Sequence, residues 1–409
     1  MENDSIAQLR SWYSYWYEQL EFSSDRCTIT SSKTLCIISK GFIVDILILG
    51  SKPNLYLAST SKLEYLHCVR KTRGSTSSIP ISIFLLVVIF TLPTITTTTG
   101  NRVYGQANPM NLAIADLPNI QNIPAKKVHV GDIDIAYKML GRGDPILLIS
   151  GASSDMNAWE SSTLRDLSLN HTVIVFDNRG VGNTTTGSKP YTIEQLANDT
   201  DGLLDALKIR KADVLGYSLG SFIAQQLTVM YPEKVNRLVL VASSCGGEDS
   251  VPKPPQFAHL QSEIVDKALN NVSLSQEEIK SLISASLGSG WIRLHPESLE
   301  DIPEAQDVFA SVSPNTIMKQ NNVGMHWEAT NWNGACDELA RIAKPTLVIT
   351  GTDDNAYIPH ENSLIIAGKI PGAWLIQIEN AGHAVMSQYP DEINKILQTF
   401  LSMTTTQPE

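Results

Sequence analysis

Residues 212–231 read Ala-Asp-Val-Leu-Gly-Tyr-Ser-Leu-Gly-Ser-Phe-Ile-Ala-Gln-Gln-Leu-Thr-Val-Met-Tyr, a short apolar run followed at once by an amphipathic helical pattern. The junction is Gly216-Tyr217-Ser218-Leu219-Gly220, which spells a strand, a sharp turn and a helix. At the apex of so tight a turn the backbone is strained, and the residues two before and two after it must be small for strand and helix to pass. The strain lifts the Ser218 hydroxyl clear of the sheet, and the free N–H of Leu219 in the first helical turn faces the place where an oxyanion would form.

Working outward, continuous apolar runs of the kind found in strands covered on both faces occur at 145–149, 173–176, 235–241 and 345–351, with a further strand at 374–378. Helical patterns lie between them at 156–169, at 192–207 with Thr192 as N-cap, near 361–369, and at 390–401. Strand, helix, strand in this order implies right-handed parallel crossovers. Ahead of them, residues 127–138 alternate apolar and polar across Gly131-Asp132, which reads as an antiparallel hairpin at a sheet edge, with His129 on its surface. The expected fold class is α/β, a mostly parallel central sheet with helices on both faces. The alternation stops over about 244–335, an inserted helical lid whose Trp291, His295, Met318, His326, Trp327 and Trp332 either line a pocket or pack lid against core.

The 409 residues exceed one typical domain, and their organisation is uneven. Arg70, Lys71 and Arg73 precede an apolar run at 79–92, and Val103-Tyr104-Gly105 fits a cleavage site before Gln106, so 70–105 reads as a secretory signal peptide. An uncleaved membrane anchor through residues 79–95 is the second reading, although the run is short for a span. Residues 1–69 then form an N-terminal extension outside the domain, either an over-extended start or a cytoplasmic tail. Residues 106–126 are a linker, 127–401 the domain with its lid, and 402–409 a C-terminal tail. The product is exported, or held at the membrane if the signal is retained.

The net charge of −11 becomes −14 from Gln106 onward, with 21 Lys+Arg against 35 Asp+Glu, and a surface of that sign excludes nucleic acid as a partner. Cys27, Cys36 and Cys68 lie before the signal, and only Cys245 and Cys336 follow it. Buried free thiols are favoured for these two over a pair. Asn170, Asn183, Asn198 and Asn271 sit in glycosylation sequons.

In open α/β sheets functional residues collect at the carboxyl ends of the strands. Ser218 follows one such end, Asp353 and Asp354 another, and His383 a third, in the chain order Ser, Asp, His. A serine hydroxyl becomes a strong nucleophile when a neutral imidazole takes its proton, and a carboxylate fixes the tautomer of that imidazole. Asp177 and Arg179 look like a structural pair, His171, His259 and His360 like surface residues, and no metal cluster, phosphate loop or dinucleotide fingerprint is present.

From about 127 to 401 the chain resembles the α/β-hydrolase superfamily. The motifs are Ser150-Gly151-Ala152, Asp177-Asn178-Arg179-Gly180, Gly216-Tyr217-Ser218-Leu219-Gly220, Gly351-Thr352-Asp353-Asp354 and Ala381-Gly382-His383. The resemblance implies Ser218 as nucleophile, His383 as general base and Asp354 as acid, with the N–H groups of Ala152 and Leu219 as the oxyanion hole. Two departures stand out. Ser150-Gly151 replaces the His-Gly common in the family, and one extra residue between Asp354 and Pro359 leaves the choice between Asp353 and Asp354 open. The implied activity is cofactor-free hydrolysis of an ester or related acyl bond of a small substrate through an acyl-enzyme. A perhydrolase or haloperoxidase-like enzyme, or a non-catalytic ligand receptor on the same fold, is the alternative.

Overall fold

The computed structural model describes residues 44–48, 120–300, 312–332 and 334–403. The proposed signal or anchor, the cleavage site, most of the linker and residues 404–409 of the tail lie outside them.

The described strands are β1 (Val44–Ile48), β2 (Lys126–Val130), β3 (Ile133–Gly141), β4 (Asp144–Ile149), β5 (His171–Phe176), β6 (Ala212–Tyr217), β7 (Val235–Val241), β8 (Thr346–Gly351) and β9 (Trp374–Ile378). They form one sheet in the order β1-β9-β8-β7-β6-β4-β5-β3-β2. Every pairing from β5 through β4, β6, β7 and β8 to β9 is parallel, while β1, β2 and β3 pair antiparallel at the two edges. The hairpin read at 127–138 is β2 and β3, with β2 outermost and His129 exposed.

Side chains alternate faces along a strand, and the two layers of core follow from that. Leu147 and Ile149 of β4 and Ile174 and Phe176 of β5 pack under one set of helices, whereas Ile146, Leu148, Val173 and Val175 serve the other face. The described helices in chain order are α1 (Ser161–Ser168), α2 (Ile193–Ala206), α3 (Leu219–Met230), α4 (Pro255–Leu269), α5 (Gln276–Leu287), α6 (Ser289–Leu294), α7 (Pro314–Trp327), α8 (Glu361–Lys369), α9 (Val385–Gln388) and α10 (Pro390–Ser402). Buried residues of α2, α3 and α8 cover the first face, and those of α1 and α10 the second. Thr192 caps α2 as read, its side chain accepting from the Gln195 N–H at 3.1 Å.

Four local readings are corrected. The helix expected over 156–169 starts only at Ser161, because the Asp155 side chain accepts from the Asn157 N–H and its carbonyl from the Ala158 N–H, which makes a turn. The extension 1–69 contributes β1, whose β-branched run pairs with the edge of β9 across Val44–Ile48. Asp177 and Arg179 do not pair with each other: Arg179 binds Asp132 and Asp199, while Asp177 accepts from the Met156 and Asn183 N–H groups. Finally, Cys245 and Cys336 are joined in a disulfide with Cα atoms 4.9 Å apart, not left as free thiols.

The disulfide stands at the two roots of the insertion, which runs between β7 and β8 and contains α4 to α7. A bridge between residues 91 apart removes much loop-closure freedom from the unfolded chain. Cys245→Ala with Cys336→Ala is therefore expected to lower stability by about 2–5 kcal/mol in denaturant titration, and reduction of the native protein should reproduce the shift.

The aromatic residues of the insertion chiefly pack it onto the core. Trp327 is fully buried and stacks on Phe222 of α3 with ring centroids 5.0 Å apart, Trp332 packs on Trp327, and Trp291 packs on His295 and Tyr389.

Candidate active site

The site is assembled at the carboxyl ends of β4 and β6 and of β8 and β9, two neighbouring pairs with β7 between them. Ser218 occupies the apex between β6 and α3 with φ 53° and ψ −124°, the strained conformation that the flanking glycines permit. A Cβ on Gly216 would collide with the Gly220 carbonyl, and one on Gly220 with the Ile149 carbonyl, so strand and helix approach too closely for any side chain. Behind the turn, the Ser221 hydroxyl donates to the Ser218 carbonyl at 2.6 Å and lies 2.7 Å from the Ser243 hydroxyl.

His383 Nε2 lies 3.0 Å from Ser218 Oγ, and His383 Nδ1 lies 2.7 Å from Asp354 Oδ2. Asp354 has no solvent exposure, and its other oxygen accepts from the Ile358 N–H at 3.1 Å. Asp353, its neighbour, points away and accepts from the Gly290 N–H and the Ser289 hydroxyl of the insertion. Of the two aspartates, Asp354 is the one bonded to His383.

Gly151 lies beside the elbow, for a Cβ placed on it would come 3.2 Å from the Ser218 Cβ. Ala152 follows it, and Leu219 is the first residue of α3, so its N–H has no intrahelical acceptor. Ser153 adopts φ 56°, and its N–H donates to Gln320 Oε1 of α7 at 2.7 Å, which ties the loop after β4 to the insertion.

Two tyrosines that the sequence reading passed over frame the imidazole. Tyr357 stacks on His383 at 4.7 Å with planes 14° apart and meets Phe257 of α4 edge-on, while the Tyr217 hydroxyl donates to the His383 carbonyl at 3.0 Å. Burial, reinforced by the charge of Asp354, pushes both phenols well above the ordinary tyrosine range, so both rings stay neutral and Tyr217 serves as a donor. Their positions inside the motif Gly-Tyr-Ser and three residues before His360 gave no sequence signal of this role. His171 is half-buried and His259 exposed, and neither approaches Ser218 by hydrogen bond.

A Ser-turn between parallel strand and helix, with an acid and an imidazole on later strand ends, defines the class. A family model described as alpha/beta hydrolase fold matches residues 144–389, and the chain belongs to that family. Among its relatives, a poly(3-hydroxyalkanoate) depolymerase of Ectopseudomonas oleovorans is 30% identical over 229 residues, covering 56% of this chain and 74% of the relative. A rhodomycin D methylesterase of a Streptomyces species is 28% identical over 273 residues, covering 60% of this chain and 88% of the relative. The solved structure of Est816, described as an N-acyl homoserine lactone degrading enzyme, superposes with TM-score 0.55 at 28% identity, covering 67% of this chain and all of that one.

Proposed function

We propose that the protein is a serine hydrolase that cleaves a carboxylic ester or related acyl bond of a small substrate through an acyl-enzyme, without a cofactor. The observation that carries this reading is the double contact of His383, 3.0 Å to Ser218 Oγ and 2.7 Å to Asp354 Oδ2. The chemistry named for the relatives agrees with it, since a polyester, a methyl ester and a lactone are all acyl–oxygen bonds.

In this reading the lone pair of Ser218 Oγ attacks the acyl carbon while its proton passes to His383 Nε2. Charge gathers on the carbonyl oxygen, which the N–H groups of Ala152 and Leu219 receive. As the tetrahedral intermediate collapses, the acyl–oxygen bond breaks and the leaving alkoxide takes the proton from Nε2. Water then attacks the ester on Ser218, gives its proton to Nε2, and the acid departs as that proton returns to Oγ. Throughout, Asp354 accepts the Nδ1–H and steadies the imidazolium; its complete burial strengthens that interaction.

A panel of p-nitrophenyl esters of increasing acyl length tests the reading directly. Saturable release of p-nitrophenol that Ser218→Ala abolishes is expected, and adding hydrogen peroxide separates hydrolysis from transfer to peroxide. No turnover on any ester, with no labelling by a fluorophosphonate, would leave the ligand-receptor alternative.

We also propose export of the domain at 127–401, with its covering insertion at about 244–335, by cleavage before Gln106 or with anchorage through 79–95; the first would remove β1 and the second would hold it across the membrane from β9, so in either exported form the sheet ends at β9. The Cys245–Cys336 disulfide supports it, because such bonds persist in oxidising compartments. N-terminal sequencing of the native protein checks this: Gln106 as first residue is expected, and an intact Met1 on a cytoplasmic protein would overturn it.

A further inference from the structure

One short stretch of the insertion holds the residues on either side of His383 and the residue before Asp354. On the histidine side, the Ala384 N–H donates to the Ser286 carbonyl at 3.0 Å. The Gly382 N–H donates to Gln388 Oε1 at 2.9 Å, and Gln388 Nε2 in turn donates to the Leu287 carbonyl at 2.7 Å. On the acid side, Asp353 Oδ2 accepts from the Gly290 N–H at 2.5 Å and from Ser289 Oγ at 3.2 Å. Arg293 Nη2 completes the set by donating to Asn380 Oδ1, at the end of β9, at 3.1 Å.

The contact is close, with backbone against backbone at Gly382 and backbone against side-chain oxygens at Gly290. A Cβ on Gly382 would collide with the carbonyls of Ser286 and Leu287, and one on Gly290 would come 2.7 Å from both Asp353 Oδ2 and Asn380 Oδ1. The bonds Gln388–Leu287 and Asp353–Gly290 span 101 and 63 residues of chain, and none of the bonded atoms belongs to Ser218, His383 or Asp354.

We propose that residues 286–293 are a positioning brace for the catalytic pair, with Asp353 and Gln388 as its two side-chain keys; the proposal rests on the triad reading given above. A hydrogen bond from serine to histidine transfers a proton well only over a narrow range of distance and angle, and a misplacement of about 1 Å can cost about 10²-fold in rate. His383 and Asp354 sit on separate loops that are joined directly by the Asp353 N–H donating to the Ala381 carbonyl at 2.8 Å, and the brace bonds to both loops from the insertion side. It touches no reacting atom, so its contribution falls on kcat and not on substrate binding.

The test uses the full chain, a p-nitrophenyl ester, and melting temperature to establish that each variant is folded at the assay temperature. Asp353→Ala and Gln388→Ala are expected to lower kcat about 10- to 100-fold with KM within about threefold of wild type. Asp353→Asn keeps an acceptor oxygen for the Gly290 N–H and should restore kcat to within about threefold. Gln388→Glu keeps the acceptor for Gly382 but sets a carboxylate oxygen in place of the donor to the Leu287 carbonyl, and should fall about 10-fold. In a His383→Ala background, Asp353→Ala should change the residual rate by less than about twofold, since a residue acting through His383 has nothing left to position.

Lower melting temperatures with unchanged kcat would reduce the brace to a structural contact and overturn the proposal, as would equal rate losses in the presence and absence of His383. Failure of the alanine variants to fold leaves the decision to Asp353→Asn and Gln388→Glu, where wild-type kcat in the latter overturns it. Activity retained by Ser218→Ala would instead sink the triad reading; an inactive Ser218→Ala beside fully active brace variants would sink the brace alone.

Discussion

Ser218→Ala is expected to fold like the parent chain and to lose about 10⁴- to 10⁶-fold in turnover. The hydroxyl is bonded to His383 Nε2 at 3.0 Å and to no core group, so its loss leaves the packing of the elbow intact. Alanine keeps the Cβ, and the strain of the φ 53° turn is therefore the same in both proteins. The surviving bonds of the elbow, from Ser221 to the Ser218 carbonyl and to Ser243, do not involve the deleted oxygen. Equal melting temperatures with the rate loss assign the oxygen to chemistry; turnover within tenfold of the parent (on the order of 1 kcal/mol in barrier) would remove Ser218 from the mechanism.

Asp354→Asn should cost about 10⁴-fold in kcat for a different reason. Asp354 uses one oxygen for the Ile358 N–H and the other for His383 Nδ1. An asparagine there keeps its carbonyl on the Ile358 N–H and turns its amide NH₂ toward Nδ1. That makes Nδ1 the acceptor, places the proton on Nε2, and leaves the imidazole unable to take the proton of Ser218. The volume hardly changes, so the protein should still fold. Comparison of kcat for Asp354→Asn and Asp353→Asn reads the assignment, and loss of turnover in Asp353→Asn alone would reverse it.

The parts of this molecule legible in its sequence are those set by local pattern. The runs that became β4 to β9 are apolar on both faces because both faces are covered, and α8 and α10 have nearly the bounds that their periodicity suggests. The elbow was legible because only glycine fits at 216 and 220, a constraint carried by adjacent residues. What escaped the sequence depends on which distant segments meet. Cys245 and Cys336 are 91 residues apart and become neighbours only when β7 and β8 pair. Arg179 finds Asp132 and Asp199 through the placement of the β2–β3 turn and α2, not through its neighbour Asp177. Asp353 and Asp354 are chemically identical and adjacent, and only the course of the loop decides that one faces His383 and the other Gly290. Tyr357 reached the imidazole in the same way, by a loop whose length differs from the family pattern.

The central claim is that Ser218 carries the acyl group between two half-reactions, and one measurement meets it directly. The full chain is mixed with a slowly deacylating p-nitrophenyl ester, quenched in acid before steady state, digested, and its peptides are weighed. The account predicts one acyl group, on the peptide containing Ser218, appearing with the burst of p-nitrophenol and absent from Ser218→Ala. An ester turned over with no acylated peptide, or with the acyl group on another residue, would contradict it.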